Sequence, residues 1–198
     1  RLWGTYYGGE DADWGLDIHQ SLSGDIFIVG YTRSVSGISG PPGHGGTLSG
    51  GLDGFIAKFN PNGIFIWGTY VGGPENDHLG AVREAGTSIF VAGTTRSSSG
   101  IATLTAHQMT YQGEQDLVIA ALDDTGAISW ATYYGGSGHE IILPGGLAVA
   151  NDGTVVIAAT TESNTNISSV NVFQPTLSGL RDGFIVKMTE SGYRVWGT

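Results

Sequence analysis

Carboxylates at alternate positions ahead of a glycine are the first feature of this sequence that could do chemistry. The run Glu10-Asp11-Ala12-Asp13-Trp14-Gly15-Leu16-Asp17 offers hard oxygen ligands at a spacing that can wrap a cation, and calcium is the ion such ligands select. Asp11, Asp13 and Asp17 are the candidate ligands, and calcium is the one cofactor the residues raise. The match is partial: counted from Asp11, an EF-hand loop needs a glutamate at its twelfth position, where Leu22 stands. At the corresponding places farther along, the chain reads Glu75-Asn76-Asp77 and Gly138-His139-Glu140. The competing use of Asp13, Asp77 and Glu140 is to cap turns by accepting backbone N–H bonds. Asp53, Asp116 and Asp182, each directly ahead of an apolar run, fit that use more strongly.

Other chemistries find less support. The histidines at 19, 44, 78, 107 and 139 share no common spacing, and His139-Glu140 opens like a zinc-protease motif only to place Leu143 where the second histidine belongs. No Gly-x-Ser-x-Gly elbow presents a nucleophile. The glycine-rich Gly37 to Gly46 stretch lacks the lysine and following helix of a phosphate loop and reads as a flexible cover. Many carboxylate pairs could reach the spacing of a retaining glycosidase, so a glycan-active enzyme stays open as a third reading. Among the aromatics, Trp3, Thr5 and Tyr7 share one face of an extended segment and Gly4 and Tyr6 the other. Because this pattern recurs, it predicts packing between units. Trp14 and Tyr111 fall outside the recurrent set and are the candidates for a surface contact.

The elements that must position these residues are repeats. Trp3-Gly-Thr-Tyr-Tyr-Gly-Gly9 returns as Trp67-Gly-Thr-Tyr-Val-Gly-Gly73 and Trp130-Ala-Thr-Tyr-Tyr-Gly-Gly136, and begins again at Trp196, at spacings of 64, 63 and 66 residues. Asp13, Asp77 and Glu140 each follow a tryptophan by ten positions, and a Gly-x-x-Asp ending at Asp53, Asp116 and Asp182 recurs in phase. Within a unit, short period-two runs lie between glycine and Asx turns, which is the strand signature. The expected second strands are Asp25 to Tyr31, Ser88 to Thr94 and Thr154 to Thr160. The third are Gly54 to Phe59, Leu117 to Leu122 and Gly183 to Met188. In the last unit Gly146 to Ala150 and Tyr193 to Trp196 flank them. Only Thr105 to Met109 could form a helical turn.

Four antiparallel strands in tandem predict an all-β protein built as blades of a β-propeller, with a parallel β-helix as the structural competitor. The divisions are 1–9, the outer strand of a preceding blade; 10–73, blade one; 74–136, blade two; and 137–198, blade three. Each unit exceeds the common blade of about 40 to 45 residues by one loop between the second and third strands. These loops, Thr32 to Leu52, Thr95 to Gln115 and Thr161 to Arg181, show little recurrence and read either as recognition surfaces or as covers for the sheet edges.

Four elements carry a family resemblance: the Trp-Gly-Thr-Tyr-Tyr-Gly-Gly run followed by an acid; Ile28-Val29-Gly30-Tyr31-Thr32; Asp53 to Gly63; and Phe173-Gln-Pro-Thr176. Together they resemble the SBBP repeat, a family named for a seven-bladed β-propeller, over nearly the whole chain. The resemblance implies part of a large secreted or surface-displayed prokaryotic protein with adhesive or scaffolding roles and no assigned catalytic residues. Two departures are local: Asp116-Leu117 replaces the Asp-Gly pair, and Glu162 stands where the other units have Arg33 and Arg96.

Three blades do not close a ring, since propellers have about four to eight. The expectations are an excerpt of a longer array, or a second copy completing six blades. With 40% hydrophobic and 10% aromatic residues the chain has a core to bury, and 18 acidic against 8 basic side chains give a formal net charge of -10. That charge excludes nucleic acid as a partner, and no run of about 18 apolar residues is present for membrane insertion. Cysteine is absent, which removes disulfides and thiolate chemistry. With these exclusions, the resemblance implies an extracellular or cell-surface structural or adhesive module, with a protein or polysaccharide of the cell surface, or a second copy, as partner. A polysaccharide-binding propeller is the alternative.

Overall fold

The β-branched and aromatic runs pair with their sequence neighbours, the outer hairpins of each sheet through tight turns and the middle pair across a long loop. The computed structural model describes residues 2–40 and 46–198 and contains three antiparallel sheets in succession. The first sheet holds β1 (Asp13–Gln20), β2 (Ile26–Thr32), β3 (Asp53–Phe59) and β4 (Phe65–Val71), paired in that order. The second repeats the pattern with β5 (Asp77–Ala85), β6 (Ser88–Thr95), β7 (Asp116–Leu122) and β8 (Ile128–Tyr134). In the third, β9 (Glu140–Ile141) and β10 (Leu147–Val149) both pair with β11 (Val155–Thr161), followed by β12 (Asp182–Met188) and β13 (Arg194–Gly197).

The split of β9 from β10 has a local cause. β1 and β5 carry bulges at matching places, between Gly15 and Asp17 and between Leu79 and Ala81. In the third unit the chain reads Leu143-Pro144-Gly145-Gly146 at this point, and proline has no N–H to donate to a ladder. The bulge thus widens into a loop, and the expected Gly146 to Ala150 strand shortens to β10.

The β3–β4 hairpin closes through Asn60 Oδ1, which accepts the N–H groups of Asn62 (2.9 Å) and Ile64 (3.0 Å). The β7–β8 hairpin uses Asp123 Oδ1 in the same way, with Thr125 and Ala127 as donors. Leu104 and Thr105 form a turn, and no helix occurs among the described residues; the expected helical turn at Thr105 to Met109 is replaced by extended loop. With no helix there, none is long and apolar enough to cross a membrane among those residues.

The sheets lie face to face. Phe27, Val29 and Ile56 of the first pack on Val82, Ile89, Val91 and Val118 of the second. Phe90, Ala92 and Ile119 of the second pack on Val155, Ile157, Phe184 and Val186 of the third. On the opposite side of the first sheet, Phe55 and Ile38 are covered by residues 2–9, whose Tyr7 ring lies 5.4 Å from Phe55 and from Phe59. The first strands β1, β5 and β10 converge along one side of the stack.

Candidate functional site

Every recurrent acid sits at the centre of the same hydrogen-bond node. Asp13 accepts the Gly9 amide at 2.8 Å and the Ser34 hydroxyl at 3.2 Å, and takes a short bond from the Thr32 hydroxyl. Asp77 accepts the Gly73 amide at 2.7 Å and the Ser97 hydroxyl at 2.8 Å. Glu140 accepts the Gly136 amide at 2.9 Å, the Thr161 hydroxyl at 2.6 Å and the Ser163 hydroxyl at 2.7 Å. The serine closes each node, since its own amide donates to the threonine hydroxyl and its oxygen accepts an amide from Asp11, Glu75 or Gly138. A buried carboxylate so surrounded ties three segments together: the Trp motif, the start of a sheet and the long loop.

The second acid series does the same one strand away. Asp53, Asp116 and Asp182 each accept the amide four residues upstream, from Ser49, Gln112 and Ser178 at 2.7, 3.0 and 2.7 Å. The two series meet at glycines. A side chain on Gly72 would collide with Asp53 and Asp77, and one on Gly135 with Asp116 and Glu140. Burial pushes Asp53 up to about 6 and Asp116 up to about 7, with the neighbouring carboxylate adding to the rise in each case, and burial raises Asp77 as well. Asp77 Oδ1 and Asp116 Oδ1 are buried without a hydrogen-bond partner.

The tryptophans clip each unit to the next. Trp3, Trp67 and Trp130 donate Nε1–H to the carbonyls of Pro61, Asp124 and Glu190 in the following unit's last hairpin, at 3.1, 2.9 and 2.8 Å. Each ring lies flat on the turn glycine: Gly126 has φ +85°, and a Cβ there would come 2.8 Å from the Trp67 ring. Only glycine meets both demands cheaply. The tyrosines staple the long loops. Tyr70 and Tyr133 donate to Ser34 and Ser97 carbonyls of their own units, each at 2.8 Å. Tyr7 reaches forward to the Ile38 carbonyl at 2.6 Å, and Tyr134 likewise to Ile167.

The structure does not bring Asp11, Asp13 and Asp17 to one point. Asp11 caps the Ala12 amide at 2.7 Å, Asp13 holds its node, and Asp17 accepts Val82 N–H at 3.1 Å and Arg83 at 2.7 Å from the second sheet. Glu10 binds the loop amides of Val35 and Ser36 and the Ser36 hydroxyl, whose bonds hold its carboxyl below the usual range. Among the described residues no group of three or more acids or histidines forms a metal cluster. A calcium ion at Asp13 would have to displace the Gly9, Thr32 and Ser34 donors. His44 and residues 41–45 of the glycine-rich stretch lie outside the described residues.

Trp14 is 38% exposed and stacks on its cross-strand partner Tyr31, with centroids 4.6 Å apart, while His78 meets Tyr31 edge-on at 4.4 Å. Tyr111 is half-buried and lids Tyr133 at 6.0 Å.

The residues that reading the loops as variable leaves out are their node members. Thr32-x-Ser34-x-x-Gly37-Ile38 recurs as Thr95-x-Ser97-x-x-Gly100-Ile101 and Thr161-x-Ser163-x-x-Asn166-Ile167. Gly37, Gly100 and Asn166 all have positive φ. The signal that finds them is the tryptophan spacing itself, applied to the loops. No family model and no curated protein matches the chain.

Proposed function

We propose that the three sheets are successive blades of a β-propeller and that the chain is a non-catalytic structural and adhesive module, extracellular or displayed at a cell surface. One observation carries this reading. In all three units the recurrent acid accepts hydrogen bonds that tie the Trp motif to a sheet and its long loop, and the motif tryptophan donates to a hairpin of the neighbouring unit. Convergence of the first strands along one side of the stack supports the blade arrangement. The resemblance to the SBBP repeat supports the surface placement. The facing carboxylates Asp116 and Glu140 are closed off by the Gly135 backbone, a poor setting for glycoside hydrolysis, which needs space for a sugar between its acids.

The Trp14–Tyr31–His78 stack favours a second reading, a sugar-binding rim, because an exposed indole face can lie on a pyranose ring. Co-sedimentation with insoluble polysaccharides separates the two. The scaffold reading expects the protein and Trp14→Ala to stay in the supernatant alike; retention that Trp14→Ala abolishes would replace it with the lectin reading.

A further inference from the structure

Lys58 is buried where the first and second sheets meet. Its ammonium donates to Asp25 at 3.2 Å and, across the interface, to Asp124, and lies 5.5 Å from the centre of the Phe27 ring. Cross-strand pairing sets it in a row, Phe27–Lys58–Trp67. The same row in the second sheet reads Phe90–Ala121–Trp130. The lysine is gone but its frame is kept: the two rings lie 6.3 Å apart in the first row and 6.4 Å in the second, at tilts of 52° and 50°. The anionic partner across the interface is kept as well. Asp124 and Glu190 hold the same hairpin place, since their carbonyls accept the Nε1–H of Trp67 and Trp130. Ser88 stands where the first unit has Asp25, one residue ahead of the isoleucine that pairs with the end of the third strand.

With a methyl group in place of the lysine, the second interface has an open cleft of about 370 Å³ lined by Ser88, Ala121, Trp130 and Glu190 among others. The Glu190 carboxylate accepts the Ser88 hydroxyl at 3.5 Å, a long bond that leaves it most of its accepting capacity. A second cavity of about 410 Å³ shares Glu190 and adds Glu84, and neither lining includes a lysine or arginine among the described residues. We propose that this cleft binds a primary ammonium on an unbranched alkyl chain, the group that Lys58 supplies from within at the preceding interface. The ammonium donates to the Glu190 carboxylate and the Ser88 hydroxyl, and the stem lies along the Trp130 indole. A lysine side chain of another protein and a free alkylamine share this chemistry. The site lies between two units of one chain and stands whether or not the sheets close a ring.

Lysine exceeds alanine by three methylenes and an ammonium, so n-propylammonium chloride is the minimal probe. Titrated into isotope-labelled protein, it should shift the Trp130 indole and Ser88 amide signals saturably, with a dissociation constant of about 1–10 mM. Binding should weaken about tenfold or more in Glu190→Gln and vanish in Ala121→Lys, whose own ammonium fills the cleft. Glu190→Gln alters an exposed side chain and decides the matter alone if Ala121→Lys does not fold. N-acetyl-lysine N-methylamide binding as tightly as the probe identifies the ligand as a protein side chain; binding of n-propylammonium alone identifies a free amine. An equal response to 1-propanol, no saturation up to about 100 mM, or binding indifferent to the variants overturns the site.

Discussion

β7 and β12 are the same strand of successive units, yet β7 is buried on both faces and β12 on one. Leu117, Ile119 and Ala121 of β7 lie under the third sheet, while Gly183, Ile185 and Lys187 of β12 face outward. Their opposite faces are alike: Val118 and Phe184 both pack toward the preceding sheet. Ile119 and Ile185 are the same residue at the same register, so their difference in burial comes from the neighbouring sheet. In a stacked repeat, most of a residue's stabilising contribution belongs to the interface it joins.

The sharpest way to break that comparison is at the tryptophans. Trp67→Ala removes a buried ring and its bond to Asp124 and should cost about 3–5 kcal/mol. Trp196→Ala removes the same motif residue where the ring is only partly buried, and should cost about 1 kcal/mol. Equal losses in urea unfolding would mean that the ring matters within its own sheet. One step down in size, Ile119→Ala should destabilise by about 2–4 kcal/mol and Ile185→Ala by less than about 1 kcal/mol, read by the same titration.

The buried acids extend the comparison to pH. Asp116 rises to about 7 in the fold from an ordinary 3.8, so between those values the folded chain holds a proton that the unfolded chain has released. Stability should fall as pH climbs from about 4 to 7 and level off above, with Asp53 acting in the same direction up to about 6. Asp116→Asn keeps an acceptor for Gln112 and Gln108 while removing the charge. It should flatten the profile and gain on the order of 1–2 kcal/mol at pH 8. Thermal melts from pH 4 to 8 would show this, and a wild-type profile that rises across the range would contradict it. A small effect, no more than about 1 kcal/mol, is expected at Asp17→Asn, because its pair with Arg83 is only partly buried.

The repeat, its strands and the packing role of the tryptophans were legible because each leaves a residue-type signal at fixed spacing. The second strands, expected as Asp25 to Tyr31 and Ser88 to Thr94, lie at Ile26–Thr32 and Ser88–Thr95. The alternating carboxylates of Glu10 to Asp17 read as a ligand set, and the structure sends them to different partners for a geometric reason. Asp13 and Asp17 would share a face in a regular strand, but the bulge between Gly15 and Asp17 breaks that parity and turns Asp17 toward Arg83. The loop nodes were hidden because threonine and serine are common in loops of every kind. They become visible only once Ser34, Ser97 and Ser163 are aligned through the tryptophans. The neighbour-dependent exposure of β12 has no counterpart in its own residues, since Ile185 and Ile119 are the same amino acid.

Amide hydrogen exchange under native conditions tests the central claim most directly, because β7 and β12 pair in the same register with the preceding strand of their sheets and differ in the sheet that covers them. The account predicts that the third sheet opens first, with β12 amides exchanging well ahead of those in β7 and β3. Equal protection across β3, β7 and β12 would contradict it and place the stability of each sheet within its own four strands.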